Sequence, residues 1–191
     1  MRWWVVATSA LWVACASAPQ VPTLFLLRAS EPAPSGRLEA PLAIVLERVE
    51  VAPYLQTAGI VVETAAGQVR PARAYQWAEP LEAGLRSSLR ARISTALGYP
   101  ISSAAGAAAN SALGVVVHID RLHGTMDGAA LIEASFRITR RAPGEPATEF
   151  HFTRAAPLAN SGYAGLVEAE MELVDALAVE IARALRVLGA P

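Results

Sequence analysis

Cysteine is almost absent: the 191 residues hold one, Cys15. A lone thiol cannot close an internal disulfide, so no disulfide framework organises this chain. Charge of one sign is missing too. The 16 basic and 17 acidic residues leave a formal charge of −1, without the basic face that phosphate backbones require, which speaks against nucleic acid as a partner. No block of like charge marks an interaction tail. Long apolar runs are lacking, since none approaches the roughly 20 residues of a bilayer-spanning helix. Catalytic signatures are missing as well. There is no Gly-x-Ser-x-Gly elbow and no Gly-x-x-x-x-Gly-Lys phosphate loop, and the reading is of a chain that is not an enzyme and takes no cofactor. No repeat of solenoid period is visible.

What is present begins at the N-terminus. Met1 and Arg2 precede the apolar run Val5–Val13, and Ala14-Cys15-Ala16-Ser17-Ala18 follows with the small residues of a cleavage site. This is the layout of a secretory signal. An apolar run closing on a small residue and a cysteine resembles a bacterial lipoprotein signal. That resemblance implies cleavage before Cys15, a diacylglyceryl group on its thiol and an acyl chain such as palmitate on its amine. The position three before the cysteine, where that signal usually has leucine, holds Trp12, with Leu11 one step further out. The alternatives are a general signal cut after an alanine, or an ordinary core cysteine. Residues 1–14 are expected to be the signal, 15–22 a tether and 23–191 a single domain; about 176 residues suffice for one core.

Thr23–Arg28 reads as a short buried strand, and the Pro- and Gly-bearing stretch Ala29–Gly36 as a linker. Leu42–Val51 and Gly59–Thr64 are rich in β-branched residues and read as strands, with a third over Val69–Tyr75 interrupted by Pro71. Pro80 suits the first position of a helix. Leu81, Leu85, Leu89, Ile93 and Leu97 then recur every fourth residue, with Arg86, Arg90 and Arg92 largely off that stripe. Gly98-Tyr99-Pro100 ends the helix, and the Ala/Ser/Gly run Ser102–Ser111 reads as a loop. Three alternating strands follow at Val115–Leu122, Ala129–Arg140 and Thr148–Arg154, forming a meander with His123 at its first turn. Asn160-Ser161 is placed to cap a last helix whose apolar positions run from Leu166 to Leu188. Glu168, Glu170, Glu172, Asp175 and Glu180 fall on its outer face. Strands in runs with two helices between them predict an α+β domain: a mainly antiparallel sheet with two long amphipathic helices packed on one face.

Candidate site residues are few. His118 shares a strand face with Asp120, but no third ligand accompanies them, so a polar sheet face is the simpler account and no metal site is expected. His151 alternates with Glu149 and Thr153 as ordinary outward polarity. Tyr75 and Trp77 stand just before the first helix, where they either pack its start onto the sheet or form a partner surface.

Three segments together are similar to the ABC-type transport auxiliary lipoproteins, the PqiC-like family also called domain of unknown function 330. They are Val49-Glu50-Val51-Ala52-Pro53-Tyr54-Leu55 followed by Gly59-Ile60-Val61; Tyr75-Gln76-Trp77-Ala78-Glu79-Pro80-Leu81; and Val115–Arg121 with Ala130–Ile138, ahead of Tyr163-Ala164-Gly165-Leu166-Val167. The second is the most specific, and the likeness runs from Thr23 to Leu188. It implies a non-catalytic component of an intermembrane lipid transport system, anchored through Cys15 at the periplasmic face of the envelope, at the outer membrane rather than the inner. The implied partners are an MCE-domain protein and an ABC permease and ATPase, with rings of identical subunits in part of the family. The other reading is a periplasmic module that itself holds a lipid or hydrophobic ligand, in a cavity where Leu85, Leu89 and Phe136 would otherwise pack.

Overall fold

Alternation of apolar and polar residues produces the longest strands. Leu113–Gly124 (β5), Ala129–Arg140 (β6) and Thr148–Pro157 (β7) pair antiparallel in chain order. Ile132, Ala134, Phe136 and Ile138 point into the core, as the period of two requires. Phe136 sits opposite Phe150, and their rings stack with centroids 4.9 Å apart. The computed structural model describes residues 21–27, 43–102, 112–141 and 145–189. Cys15, the segment 1–14 and tether residues 15–20 lie outside them, as do the linker and the greater part of the Ala/Ser/Gly run.

The remaining strands make the sheet mixed. Ile44–Val51 (β2) lies parallel to β5, and Gly59–Ala65 (β3) touches the far end of β5 at Gly124. A short 3-10 turn, Pro53–Leu55, separates them, so β2 and β3 together flank one long strand. Gln68–Trp77 (β4) returns antiparallel to β3, and Thr23–Phe25 (β1) adds a parallel edge. The order is β1-β4-β3-β5-β6-β7, with β2 also on β5. The longest pairings are antiparallel, as expected.

One strand expectation changes and another holds in part. β1 is an edge with Thr23 and Leu24 exposed, not a buried strand; of that stretch only Leu27 enters the core. β4 is one continuous strand, but its pairing with β3 does break at Pro71 as expected. Val61 faces Pro71 and Gly59 faces Gln76, so β4 bulges between them. β1 covers only Tyr75–Trp77 and leaves the outer edge beside Pro71 unpaired among the described residues. His123 likewise is no turn residue. It is buried at the end of β5, and the turn follows at Thr125–Gly128.

Leu81–Leu97 (α1) packs on β2, and Gly162–Gly189 (α2) packs on β5, β6 and β7. The two helices also lie against each other. Pro80 stands one position earlier than expected, as the cap whose carbonyl accepts from Ala83 and Gly84 N–H (2.9 and 3.1 Å). Gly98 closes α1 in the left-handed conformation, φ +86°, which glycine adopts without steric cost. Asn160 donates its side-chain N–H to Glu168 at 3.3 Å.

Two charged groups expected on the outer faces of the helices are buried. Arg92 is buried, donates to Ser88 Oγ at 2.8 Å and pairs with Asp175 of α2. Glu170 is 1% exposed, and its Oε2 has no hydrogen-bond partner. Burial alone pushes its carboxyl up to about 8, so it is largely protonated at neutral pH.

Candidate functional site

The junction between β4 and α1 is held from both sides. Trp77 N–H donates to Ala58 O, and Ala78 N–H donates to Phe25 O, each at 2.7 Å. These bonds bring the start of β3 and the end of β1 onto the Trp-Ala-Glu-Pro-Leu stretch, so the entry into α1 has little freedom. Trp77 itself is 8% exposed and joins the core beside Leu81. Of the two readings of this side chain, packing is the one its burial fits.

Tyr75 differs. Two residues earlier on the same strand face, it lies beyond the cover of α1 and is 38% exposed. Its ring stacks on Tyr163 in the first turn of α2, centroids 4.3 Å apart and 19° between planes. Phe25 tilts toward it at 6.5 Å. Three separate elements therefore meet in one aromatic cluster with a solvent-facing rim. Tyr163 belongs to a separate segment of the family resemblance, and its pairing with Tyr75 spans 88 positions and leaves no local signal.

Two hollows flank this junction. An open cleft of about 400 Å³ lies beside Trp77, lined also by Val51, Gln56, Glu79 and Glu82. A larger groove, about 990 Å³, follows β4 past Tyr75 and Tyr163 toward Arg70 and Arg73. Gly59 shares the wall of that groove, and its backbone packs against that of Ala72. A Cβ there would meet the Ala72 carbonyl oxygen and nitrogen well inside van der Waals contact. Gly59→Ala is accordingly expected to destabilise the domain by roughly 1–3 kcal/mol. Urea titration checks this, and an unchanged midpoint would mean that the two strands separate there without cost.

The cavity that the ligand-holding reading required between helix and sheet is filled. Leu85, Leu89 and Phe136 are all fully buried in one continuous core. The two hollows beside Trp77 and Tyr75 open on the surface.

On the opposite sheet face, His118 gains a partner the sequence did not indicate. Its Nδ1 lies 3.6 Å from Glu50 Oε2 on β2, and its Nε2 lies 3.3 Å from Asp120 Oδ1. The two carboxylates bracket the ring from opposite sides and do not converge on a common point. Among the described residues no three ligating side chains gather closely enough to hold a metal ion. His151 is exposed on β7. No described helix is long and apolar enough to cross a membrane.

Comparison with known proteins gives consistent matches. A family model described as the ABC-type transport auxiliary lipoprotein component matches residues 25–182. The intermembrane transport lipoprotein PqiC of Escherichia coli (strain K12) is 29% identical over 149 residues, which cover 74% of this chain and 76% of that protein. PqiC of Shigella flexneri matches to the same extent. Among solved structures, the crystal structure of an uncharacterized protein superposes with a TM-score of 0.73 at 22% identity, over 86% of this chain and 99% of that one. Protein XCC0632 from Xanthomonas campestris follows with a TM-score of 0.65 at 16% identity, over 88% and 95%. At those identities the two structures speak for the fold alone.

Proposed function

This chain belongs to the ABC-type transport auxiliary lipoprotein family, and from that premise we propose that it is a non-catalytic, membrane-anchored docking component of an intermembrane lipid transport system. In this reading residues 1–14 are a signal and 15–22 a tether. Cys15 carries the lipid at the periplasmic face, at the outer membrane rather than the inner. The domain receives an MCE-domain protein that works with an ABC permease and ATPase, and it does so singly or as a ring of identical copies.

The observation that carries the proposal is the junction Tyr75–Leu81. It is the most family-specific stretch, it is fixed by hydrogen bonds from two neighbouring strands, and it presents Tyr75 at a solvent-facing rim. A rigid aromatic rim suits docking, since aromatic anchors dominate interface energetics.

Capture from detergent-solubilised envelopes tests the docking role. Full-length protein should retain MCE and ABC components, and Tyr75→Ala should lose them while its melting temperature stays within a few degrees. Absence of those components under conditions that keep other envelope complexes intact would overturn the reading. Cys15→Ser should leave a folded protein that high-salt washing releases from membranes, because stable anchoring requires more than one acyl chain. A variant that stayed in the membrane pellet would remove Cys15 as the anchor.

A further inference from the structure

The edge formed by β1 and β4 carries features the core does not use. Val21, Leu24 and Leu26 are 90%, 58% and 39% exposed. The parallel register that sets Thr23 against Tyr75 carries the preceding residues back toward Ala74 and Arg73. Among the described residues nothing pairs with the outer edge of β4 beyond Tyr75, and the groove runs along it with Arg70 and Arg73 on its walls. Both arginines are exposed, and no described carboxylate pairs with either. Glu63, the acid of the β3–β4 hairpin, instead accepts the Gly67 N–H at 3.1 Å. The groove thus joins two guanidiniums that no described carboxylate pairs with and a stacked tyrosine pair, while Leu24, set against Gln76, lies on the other face of the same edge.

The geometry points to this edge as a membrane-apposed surface. Arg70 and Arg73 bind phosphate of anionic phospholipid headgroups, while Leu24 and Leu26, on the other face of the edge from Tyr75, enter the interfacial layer. Two arguments select a bilayer as the occupant. Guanidiniums match phosphate by charge and by their fork of donors, and exposed leucines beside a basic pair gain by leaving water for the zone next to the apolar tails. The second argument is reach. Cys15 lies six residues ahead of Val21, and six extended residues span at most about 20 Å. This argument alone rests on the anchored reading: a lipid at Cys15 brings the headgroup layer to this edge, where the tether emerges. A direct headgroup contact would then hold the domain in one orientation, which a single covalent anchor at Cys15 does not do.

The test uses the chain from residue 15 onward carrying Cys15→Ser. The core is built from Leu27 onward, so this chain keeps the fold without any acyl group. It is mixed with vesicles of phosphatidylcholine alone, or with a quarter phosphatidylglycerol, and sedimented. Binding is expected on the anionic vesicles only and should fall as salt rises. Arg70→Gln with Arg73→Gln should weaken it roughly thirtyfold, about fivefold for each cation near the surface. Leu24→Ser should weaken it further. Arg137→Gln with Arg154→Gln, two exposed cations on β6 and β7 away from this edge, should leave it unchanged. Circular dichroism establishes that each variant is folded.

Equal loss in the two double variants would overturn the proposal in favour of undirected attraction. So would undiminished binding by the Arg70/Arg73 variant, or no binding by any form. Competition by dissolved glycerol phosphate as strong as that by vesicles would overturn it too, by making a soluble anion the ligand. No partner protein is present, so failure here leaves the docking proposal intact, and failure of the envelope capture leaves this one intact.

Discussion

Leu89→Ala is expected to destabilise the domain by about 2–5 kcal/mol. Leu89 is 0% exposed at the middle of the α1 stripe, with Leu85 and Ile93 one turn to either side and equally buried. α1 rests on β2 and α2, whose contributions to the core are complete there. Neighbours held by a sheet and a second helix cannot collapse far into the space a removed isobutyl group leaves, which puts the cost toward the upper part of that range. Chemical denaturation followed by circular dichroism measures it. A midpoint equal to that of the unsubstituted protein would mean that the stripe does not face the core. By contrast Ser87→Ala, at an exposed position of the same helix, should change stability by no more than about 0.5 kcal/mol.

Glu170 should make the stability of this protein fall as pH rises. In the folded state burial raises its carboxyl from 4.5 to about 8, while the unfolded chain ionises it at the ordinary value. The folded state therefore holds the proton more tightly. Its contribution is fully present below pH 4.5 and is lost as pH climbs through the folded value near 8. At about 1.4 kcal/mol per unit, the loss across that window reaches on the order of 4–5 kcal/mol. Glu170→Gln keeps the shape and removes the titration, so the variant should gain on the native protein steadily from about pH 5 to pH 8. Glu170→Leu should gain at least as much, since it also removes the buried oxygen that lacks a partner. Parallel stability curves for native protein and Glu170→Gln would show that the carboxyl is solvated in the folded state.

Glu170 also shows where sequence patterning stopped. Spaced among Glu168, Glu172, Asp175 and Glu180, it looked like one more outward acid on α2. Helical geometry puts it instead on the stripe of Leu166, Val167, Leu173, Val174 and Leu177, which the sheet and α1 cover. Arg92 misled in the same way. It follows Leu85 and Leu89 at seven and three residues, a spacing that belongs to the inner face, and Asp175 meets it there. Both errors came from assigning charge outward by type. The position on the helix, not the charge, decided their burial.

The candidate site was half legible. The Tyr75–Leu81 segment stood out by its residues, and Pro80 marked the helix start within one position. The Tyr75–Tyr163 stack, the two hydrogen bonds gripping Trp77 and Ala78, and the Glu50 contact to His118 each join residues distant in the chain. No local pattern encodes such a meeting. β1 illustrates the same limit from the other side, because an apolar run reads alike whether the sheet buries it or leaves it as an edge.

Local chemistry thus determined what needs only neighbours in the chain. That includes the strand alternation of the meander, the four-residue stripe of α1, the glycine stop at Gly98, the α+β order and the family likeness. Tertiary structure alone decided the parallel placement of β1 and β2, the burial of Glu170 and Arg92, and the groove that opens along β4. These depend on which surfaces meet after the chain has crossed the sheet and returned. The free energy of that meeting, apolar area removed from water against charge stripped of it, is set by neighbours no window of sequence contains.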